Sequence, residues 1–332
     1  MHKINYLEIF KKAWNITWNN KYLWWFGFFI TLGSGANVFN FNFPSDSKSQ
    51  EAGELQKIVE NFLSQNWQMR AARIAEIIPG NTEYWIVGGI VFLLIVLFIL
   101  VIVRVVSQAG LITEANNIEK EKGSFWKGFG KGKTYFWKIF LVDILLGFLM
   151  VGIILIMIIP ILFLFYLGSI LSGIISIILA IFIIIPLSVL VFFLKRYAHF
   201  YIILSQLKIF SSIESAYFLF KKNIWSSIIM SLLFIPIGFI LALMLIFSAL
   251  MIGLAFLIIG FVLYFTLGLL GTTIAIILGA VALFAAMFLI FSAYKVFAEI
   301  SWLLFFKEIA TPKEEELVEE KSVEIVSDPE IV

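Results

Sequence analysis

The stretch SSIESAYFLFKKNIW, from Ser211 to Trp225, decides the predicted fold, because it places a short amphipathic segment between two long apolar blocks. Ser211 and Glu214 have capping-box spacing, in which each side chain accepts a hydrogen bond from a free backbone N–H at a helix start. The segment ends in a lysine pair, and a tryptophan then opens the next apolar block. We therefore predict an interfacial helix at 211–223 that leads into a membrane span.

Two other segments resemble this one. Asn5 and Glu8 repeat the capping-box spacing near the start of the chain, whereas Lys127 replaces the glutamate in a glycine-rich version that begins at Ser124. These segments predict interfacial helices at about 5–20 and 124–135. The chain is therefore interpreted as three parallel hairpins, each preceded by a cytoplasmic amphipathic helix. The alternative is an ordinary alternation of basic flanks and apolar spans without a true repeat.

The composition indicates an all-α polytopic membrane protein. Hydrophobic residues make up 61% of the 332 residues and charged residues 14%, with a mean hydropathy of +1.02. Soluble globular proteins have about 45–50% apolar and about 25% charged residues. Apolar runs such as 86–103 are continuous and do not alternate, which excludes an outer-membrane barrel and favours spanning helices of about 20 residues.

We predict six spans in a single transmembrane domain that covers residues 1–310. The spans are expected at about 22–38, 85–106, 137–166, 170–194, 225–250 and 272–300. Arg104, Arg196 and Lys295 stand at the ends of the second, fourth and sixth, where the positive-inside rule places the cytoplasm. The 70 residues from 225 to 294 carry no formal charge, so residues 249–273 either extend the last two spans or re-enter the bilayer.

Two polar segments complete the predicted topology. Residues 40–84 contain four basic and six acidic side chains, a net charge of −2, which indicates an extracytoplasmic loop. Residues 311–332 contain eight acidic and two basic side chains, and Thr311 followed by Pro312 predicts a short helix before a disordered end. Both termini are thus expected in the cytoplasm, with the protein in an inner or plasma membrane.

An amphipathic helix before an aromatic membrane entry, as in 10–25 and 213–225, resembles a group of poorly characterised prokaryotic six-helix membrane proteins. The group includes the membrane domain fused to some glycerophosphodiester phosphodiesterases. The resemblance covers most of residues 1–305 at the level of architecture and implies a lipid-related setting. It does not imply phosphodiesterase activity, because no soluble segment is long enough for a barrel of about 250 residues.

Little in the sequence indicates catalysis. The chain has no cysteine and two histidines, and no second histidine or acid stands at metal-ligand spacing from His199. The segment GFGKGK at 128–133 lacks the preceding strand and the terminal Lys-Ser/Thr of a phosphate loop. We therefore expect a non-enzymatic protein without metal or cofactor. We also expect no nucleic-acid binding, because the basic residues flank membrane entries.

Basic residues near the predicted membrane entries are candidates for binding anionic lipid headgroups or another membrane protein. Each contributes about 1 kcal/mol near an anionic surface. The same residues also set topology, which explains them almost as well. The candidates are Lys11, Lys12, Arg104, Lys131, Lys133, Arg196, Lys221 and Lys222. The alternative function is a transporter or flippase of an apolar or lipid-like substrate.

Asp143 is the acid that lies plainly inside a predicted span, and such groups are candidates for a functional role. Its position near the membrane surface also allows contact with water or a structural ion pair with Lys138. We predict that His199 is an interfacial residue. Glu299 follows Lys295 by four positions, a spacing that predicts a local ion pair on one helix.

Overall fold

The computed structural model of the chain describes residues 4–34, 82–118, 123–166 and 170–310. Every regular element in these ranges is a helix, which confirms the predicted all-α class. The helices are α1 Tyr6–Asn19, a 3-10 turn Lys21–Leu23, α2 Trp24–Gly33, α3 Thr82–Asn117, α4 Phe125–Tyr166, α5 Ile170–Leu204, α6 Ile209–Lys222, α7 Ile224–Leu267 and α8 Leu269–Ala310.

Helix α1 begins where the sequence predicts. Asn5 is its N-cap, and the Asn5 side-chain oxygen accepts a hydrogen bond of 3.3 Å from the backbone N–H of Glu8. The Asn5 amide nitrogen donates to the Glu8 carboxylate at 3.2 Å. Ile9 and Ala13 are buried on the face of α1 that packs along α8, so protein covers this face of the helix.

Helix α6 begins two residues before its predicted cap. Lys208 occupies the N-cap position and makes no side-chain cap hydrogen bond, so the predicted N-cap at Ser211 is wrong. The connection after α5 is only four residues long and turns at Gln206, whose φ is 54°. The chain has therefore completed its turn by Lys208, and the first helical turn already contains Ser211.

Helix α4 joins two segments that the sequence treats separately. The predicted interfacial segment 124–135 and the predicted span 137–166 lie in one uninterrupted helix that begins directly after Ser124. A side chain at Gly132 would meet the backbone carbonyl of Val106 on α3. The glycine therefore permits close approach between the two helices.

Helices α7 and α8 form a long antiparallel hairpin. They are 44 and 42 residues long, they pack along each other, and they are joined at Gly268. The φ of 61° at this position is in the left-handed region that glycine adopts without steric cost. Residues 249–273 therefore extend the two helices and do not form a separate re-entrant segment.

Within the described residues, five helices are long and apolar enough to cross a membrane. These candidate spans are Val87–Asn117, Phe125–Leu164, Ser172–Leu204, Ile224–Leu267 and Leu269–Ala310. The first of the six predicted spans, 22–38, is described only as far as Ser34, and α2 within it has ten residues. The predicted loop before Thr82 and the predicted tail 311–332 lie outside the described residues.

The contacts divide the chain into two compact units. The described part of unit 32–103 is dominated by the first half of α3, which exposes apolar side chains from Val87 to Ile99. The larger unit combines residues 1–31 with residues 104–332. Its most deeply buried side chains include Tyr197 and Phe200 on α5 and Phe305 on α8, so a protein core forms at these ends of the two helices.

Candidate functional site

Two ion-paired clusters lie between helices of the larger unit. In the first, Oδ1 of Asp143 on α4 lies 2.8 Å from Nε2 of His199 and 3.1 Å from Nζ of Lys195, both on α5. Because an ionised carboxylate can only accept, Nε2 of His199 is the donor. The cluster therefore connects α4 to α5.

The predicted ion pair between Asp143 and Lys138 is wrong, because the Asp143 carboxylate pairs with Lys195 and His199 on another helix. His199 is buried, with 4% of its side chain exposed. Lys195 and His199 are four positions apart and so share one face of α5, which brings both to a single carboxylate. Lys138 lies five positions before Asp143, a spacing that places the two on different sides of α4.

In the second cluster, Arg196 of α5 donates a hydrogen bond of 2.9 Å to Oε1 of Glu299 on α8. The side chains are 17% and 8% exposed. The guanidinium group also lies over the ring of Trp302, 4.7 Å from its centroid. The predicted local pair between Glu299 and Lys295 is therefore wrong, because the partner of the carboxylate comes from α5. A planar guanidinium can pair with the carboxylate and stack on an aromatic ring at once.

A third buried polar contact lies where α4 begins. Glu114 on α3 is 4% exposed, and its carboxylate accepts a hydrogen bond of 3.2 Å from the backbone N–H of Ser124. A side chain at Gly123 would meet the Tyr22 ring. No spacing pattern links Glu114 to Ser124, so the sequence alone does not indicate this contact.

The predicted lipid-binding residues fall into two groups. Lys11, Lys12, Lys133, Lys221 and Lys222 are exposed, and Lys131 is half-buried. Arg104 and Arg196 are also half-buried, and Arg196 is engaged by Glu299. The arginines therefore lie deeper among the helices than the sequence analysis assumed, while lipid binding by the lysines stays a prediction.

Three helices expose aromatic or apolar side chains together with a lysine along one face. Within each helix the residues are three, four or seven positions apart, a spacing that places them on one side of a helix. We call these faces the outer stripes. They consist of Leu7, Lys11, Trp14 and Trp18 on α1, Trp126, Lys133 and Trp137 on α4, and Phe210, Tyr217 and Lys221 on α6.

On α1 and α6, a buried face lies behind the outer stripe. On α1, Ile9 and Ala13 are buried and pack towards α8, whereas Trp14 is exposed. On α6, Ala216 and Phe220 are likewise buried behind the exposed Tyr217. Both faces of these helices are thus partly apolar, one covered by protein and one open.

The two ion-paired clusters favour a structural role over a chemical one. Each joins helices that are distant in sequence, and each carboxylate is occupied by a cation from the same chain. In the part of the chain that the structure describes, no three His, Asp or Glu side chains are placed to hold a metal ion. The clusters therefore hold α4, α5 and α8 together.

The fold defines a multi-pass helical membrane protein. Its five candidate spans expose long apolar surfaces, and its charged groups pair between helices at one end of the larger unit. A scan against protein-family models and searches of curated proteins and of solved structures found no match to the chain. The proposed function therefore depends on the chemistry of the chain's own residues.

Proposed function

We propose that this protein is a non-enzymatic membrane protein that binds anionic phospholipid headgroups through the outer stripes of α1, α4 and α6. The observation that carries the proposal is the exposure of lysine beside tryptophan, tyrosine or phenylalanine at helical spacing on three separate helices. Tryptophan and tyrosine rings favour the membrane–water interface. Lysines held at the same depth are placed to meet lipid phosphates.

The stripe on α1 is held in place from behind. Ile9 and Ala13 pack against α8, which fixes the helix on its buried side. On the open side, the rings of Trp14 and Trp18 lie 5.3 Å apart, and Lys11 stands one turn before Trp14. The lysine is therefore presented next to an aromatic pair on a helix that does not have to order itself when lipid binds.

The stripes on α4 and α6 lie at the starts of long apolar segments. Trp137 is 63% exposed and stands where the apolar part of α4 begins. Lys221 ends the stripe on α6, and Trp225, 69% exposed, follows in the first turn of α7. Each stripe thus combines a cation with an aromatic side chain at a membrane entry, which is the arrangement expected at the headgroup level.

The proposed topology has six spans as three parallel hairpins, with both termini in the cytoplasm. It puts all three stripes on the cytoplasmic side, where anionic lipids give the membrane surface a negative potential. The resemblance to prokaryotic six-helix membrane proteins supports the same lipid-related setting. A membrane-protein partner bound to the same stripes is the competing outcome.

The test replaces one lysine in each stripe in the full chain, as Lys11→Gln, Lys133→Gln and Lys221→Gln together. Three lysines at about 1 kcal/mol each predict a preference for phosphatidylglycerol over phosphatidylcholine that falls by roughly tenfold or more. Native mass spectrometry of protein released from mixed-lipid nanodiscs measures the retained lipids.

The matched control carries arginine at the same three positions, which keeps the charge. It is expected to retain the preference for phosphatidylglycerol. A glutamine variant that retains phosphatidylglycerol as the unmodified protein does would contradict the proposal. Loss of a co-purified membrane protein, with lipid retention unchanged, would instead assign the stripes to a protein partner.

A further inference from the structure

An apolar groove lies between α4 and the start of α6 in the larger unit. Its volume is about 600 Å³, within the range of about 300–1,000 Å³ that is typical of ligand pockets. Leu146 at the groove is 4% exposed, whereas Phe148 and Phe210 are 74% and 77% exposed and leave one side open. The lining of this α4–α6 groove includes Leu146, Phe148 and Leu149 on α4 and Phe210, Ile213 and Glu214 on α6.

Glu214 is the charged residue of the α4–α6 groove, and every other residue that lines the groove is apolar. Its side chain is exposed. Within the described ranges, this side chain makes no hydrogen bond or ion pair. A carboxylate that has no cation from the described part of the chain therefore borders an open apolar surface.

The groove lies where α4 changes from charged to apolar surroundings. Asp143, two positions before Leu145, pairs with Lys195, whose side chain is 39% exposed. From Leu145 to Leu149 the helix is apolar, and Gly147 has nothing within 4 Å of where a side chain would begin. The groove therefore combines a charged group with apolar surface, which is the combination that an amphiphilic ligand requires.

We propose that the α4–α6 groove binds phosphatidylethanolamine, with an acyl chain in the groove and the headgroup ammonium on Glu214. Lipid tails are as apolar as leucine, so packing in the groove selects little between lipids. The headgroup supplies the selectivity, because a primary ammonium donates hydrogen bonds to a carboxylate, whereas the quaternary ammonium of phosphatidylcholine has no N–H. The phosphate of an anionic headgroup would be repelled by the same carboxylate.

This site differs from the outer stripes in the headgroup that it selects. The lysines of the stripes do not line the groove, so the proposal does not depend on anionic-lipid binding by them. Phe210 belongs to both the groove and the stripe on α6, so the two sites are neighbours. The same short helix would therefore contact two classes of phospholipid.

The test uses the full chain in nanodiscs that contain equal amounts of phosphatidylethanolamine and phosphatidylcholine, and native mass spectrometry of the released protein measures the retained lipids. The unmodified protein should retain phosphatidylethanolamine over phosphatidylcholine by about threefold or more, the effect of one charge-assisted hydrogen bond at an exposed group. Glu214→Gln should retain the two lipids equally. A preference that is absent from the unmodified protein, or that survives in Glu214→Gln, overturns the proposal.

Two acidic controls test whether this particular carboxylate is responsible. Glu214→Asp keeps the charge and should keep the preference for phosphatidylethanolamine. Glu308→Gln removes an exposed carboxylate on α8 that does not line the groove, and it should also keep the preference. Equal losses in Glu308→Gln and Glu214→Gln would show that net charge, not the groove, sets the selectivity. The unfolding midpoint of Glu214→Gln in lipid-free detergent should match that of the unmodified protein, and a lower midpoint would assign Glu214 to the fold instead.

A second pair of variants tests the groove itself. Leu149→Trp places a larger side chain in the groove at a position that is 47% exposed, so it should abolish the preference although Glu214 is intact. Leu155→Trp makes the same change on α4 at a position that is 55% exposed and does not line the groove. This control should retain the preference. An unmodified preference in Leu149→Trp would show that the acyl chain does not occupy the groove.

The two lipid proposals can fail separately. The triple glutamine variant of the outer stripes should keep its preference for phosphatidylethanolamine over phosphatidylcholine, and Glu214→Gln should keep the preference for phosphatidylglycerol. The competing occupant of the groove is a second copy of the chain. A dimer that Leu149→Trp separates into monomers, with lipid retention unchanged, would assign the groove to that copy and reject the lipid site.

Discussion

The two halves of helix α8 are both rich in apolar residues but have different surroundings. In the half that follows Gly268, large side chains are open, as at Leu270, which is 74% exposed. In the other half, residues 296–306 are almost all buried, and Phe305 is fully covered. The first half has α7 beside it, whereas the second also meets α1 and α5. Apolar character alone therefore does not locate the core, because the same residue types serve as lipid-facing surface and as protein interior.

The covered half of α8 is also the half that contains charge. Glu299 lies there with Arg196 against it, whereas the open half from 269 to 290 has no charged residue. The hydrocarbon core of a bilayer cannot pair a charge, so a carboxylate in an apolar helix requires a partner from the same chain or from water. The ion pair thus lies in the half of α8 that α1 and α5 cover.

The largest expected effect comes from removing an aromatic ring in each environment. Phe305→Ala should destabilise the protein by about 3–5 kcal/mol, because it leaves a cavity between packed helices. Phe247→Ala on α7, at a position that is 66% exposed, should change stability by no more than about 0.5 kcal/mol. Unfolding midpoints of both variants in detergent provide the comparison. Similar losses at the two positions would show that the open surface is packed by protein as well.

A smaller effect is expected at the cluster that joins α4 to α5. Asp143→Asn keeps the size of the side chain but removes the negative charge that Lys195 and His199 share, which should destabilise the protein by about 1.5–3 kcal/mol. Glu214→Gln, an exposed carboxylate on α6, is the control for loss of charge. An Asp143→Asn variant that is as stable as the unmodified protein would contradict the structural role assigned to this carboxylate.

The smallest expected effect tests the close approach of α3 and α4. Gly132→Ala should destabilise the protein by about 1–3 kcal/mol, because its methyl group would meet the Val106 carbonyl. Gly130, two positions earlier, has nothing within 4 Å of where a side chain would begin. Gly130→Ala should therefore stabilise α4 by up to about 1 kcal/mol through helix propensity. If both substitutions had the same sign, the two helices would not be in close contact at Gly132.

The sequence predicts the parts of this fold that depend on local composition. The all-α membrane class follows from the apolar runs, and Asn5 is the N-cap of α1 because the capping interaction involves residues three positions apart. The uncharged block 225–294 predicts two long helices as one of its alternatives, and the structure has them. Each of these results depends on interactions within a few residues along the chain.

The ion pairs could not be predicted in this way, because their partners are far apart in sequence. Glu299 has a cation four positions before it, yet it pairs with Arg196, 103 positions away. Asp143 and His199 are 56 positions apart, and neither belongs to a motif. The available signal was the spacing of Lys195 and His199, which places two possible donors for one carboxylate on the same face of α5.

At the start of α6, the turn before the helix prevents the local capping pattern from setting the N-cap. Ser211 and Glu214 have the correct spacing for a cap, but the helix begins at Ile209 because the preceding turn is already complete. The serine can serve as a cap only if the backbone before it is not helical. The turn at Gln206 decides that, and its geometry depends on where α5 ends.

The glycine turn between α7 and α8 has a consequence for the surrounding bilayer. From Gly268 to Lys295, α8 rises by roughly 40 Å without meeting a charge, at 1.5 Å for each residue. The hydrocarbon layer of a typical bilayer is about 30 Å thick, so this length produces a hydrophobic mismatch of roughly 10 Å. The hairpin can remove the mismatch by tilting about 40° from the membrane normal or by thickening the lipid around it. The tilt of this hairpin is therefore expected to depend on the thickness of the bilayer around it.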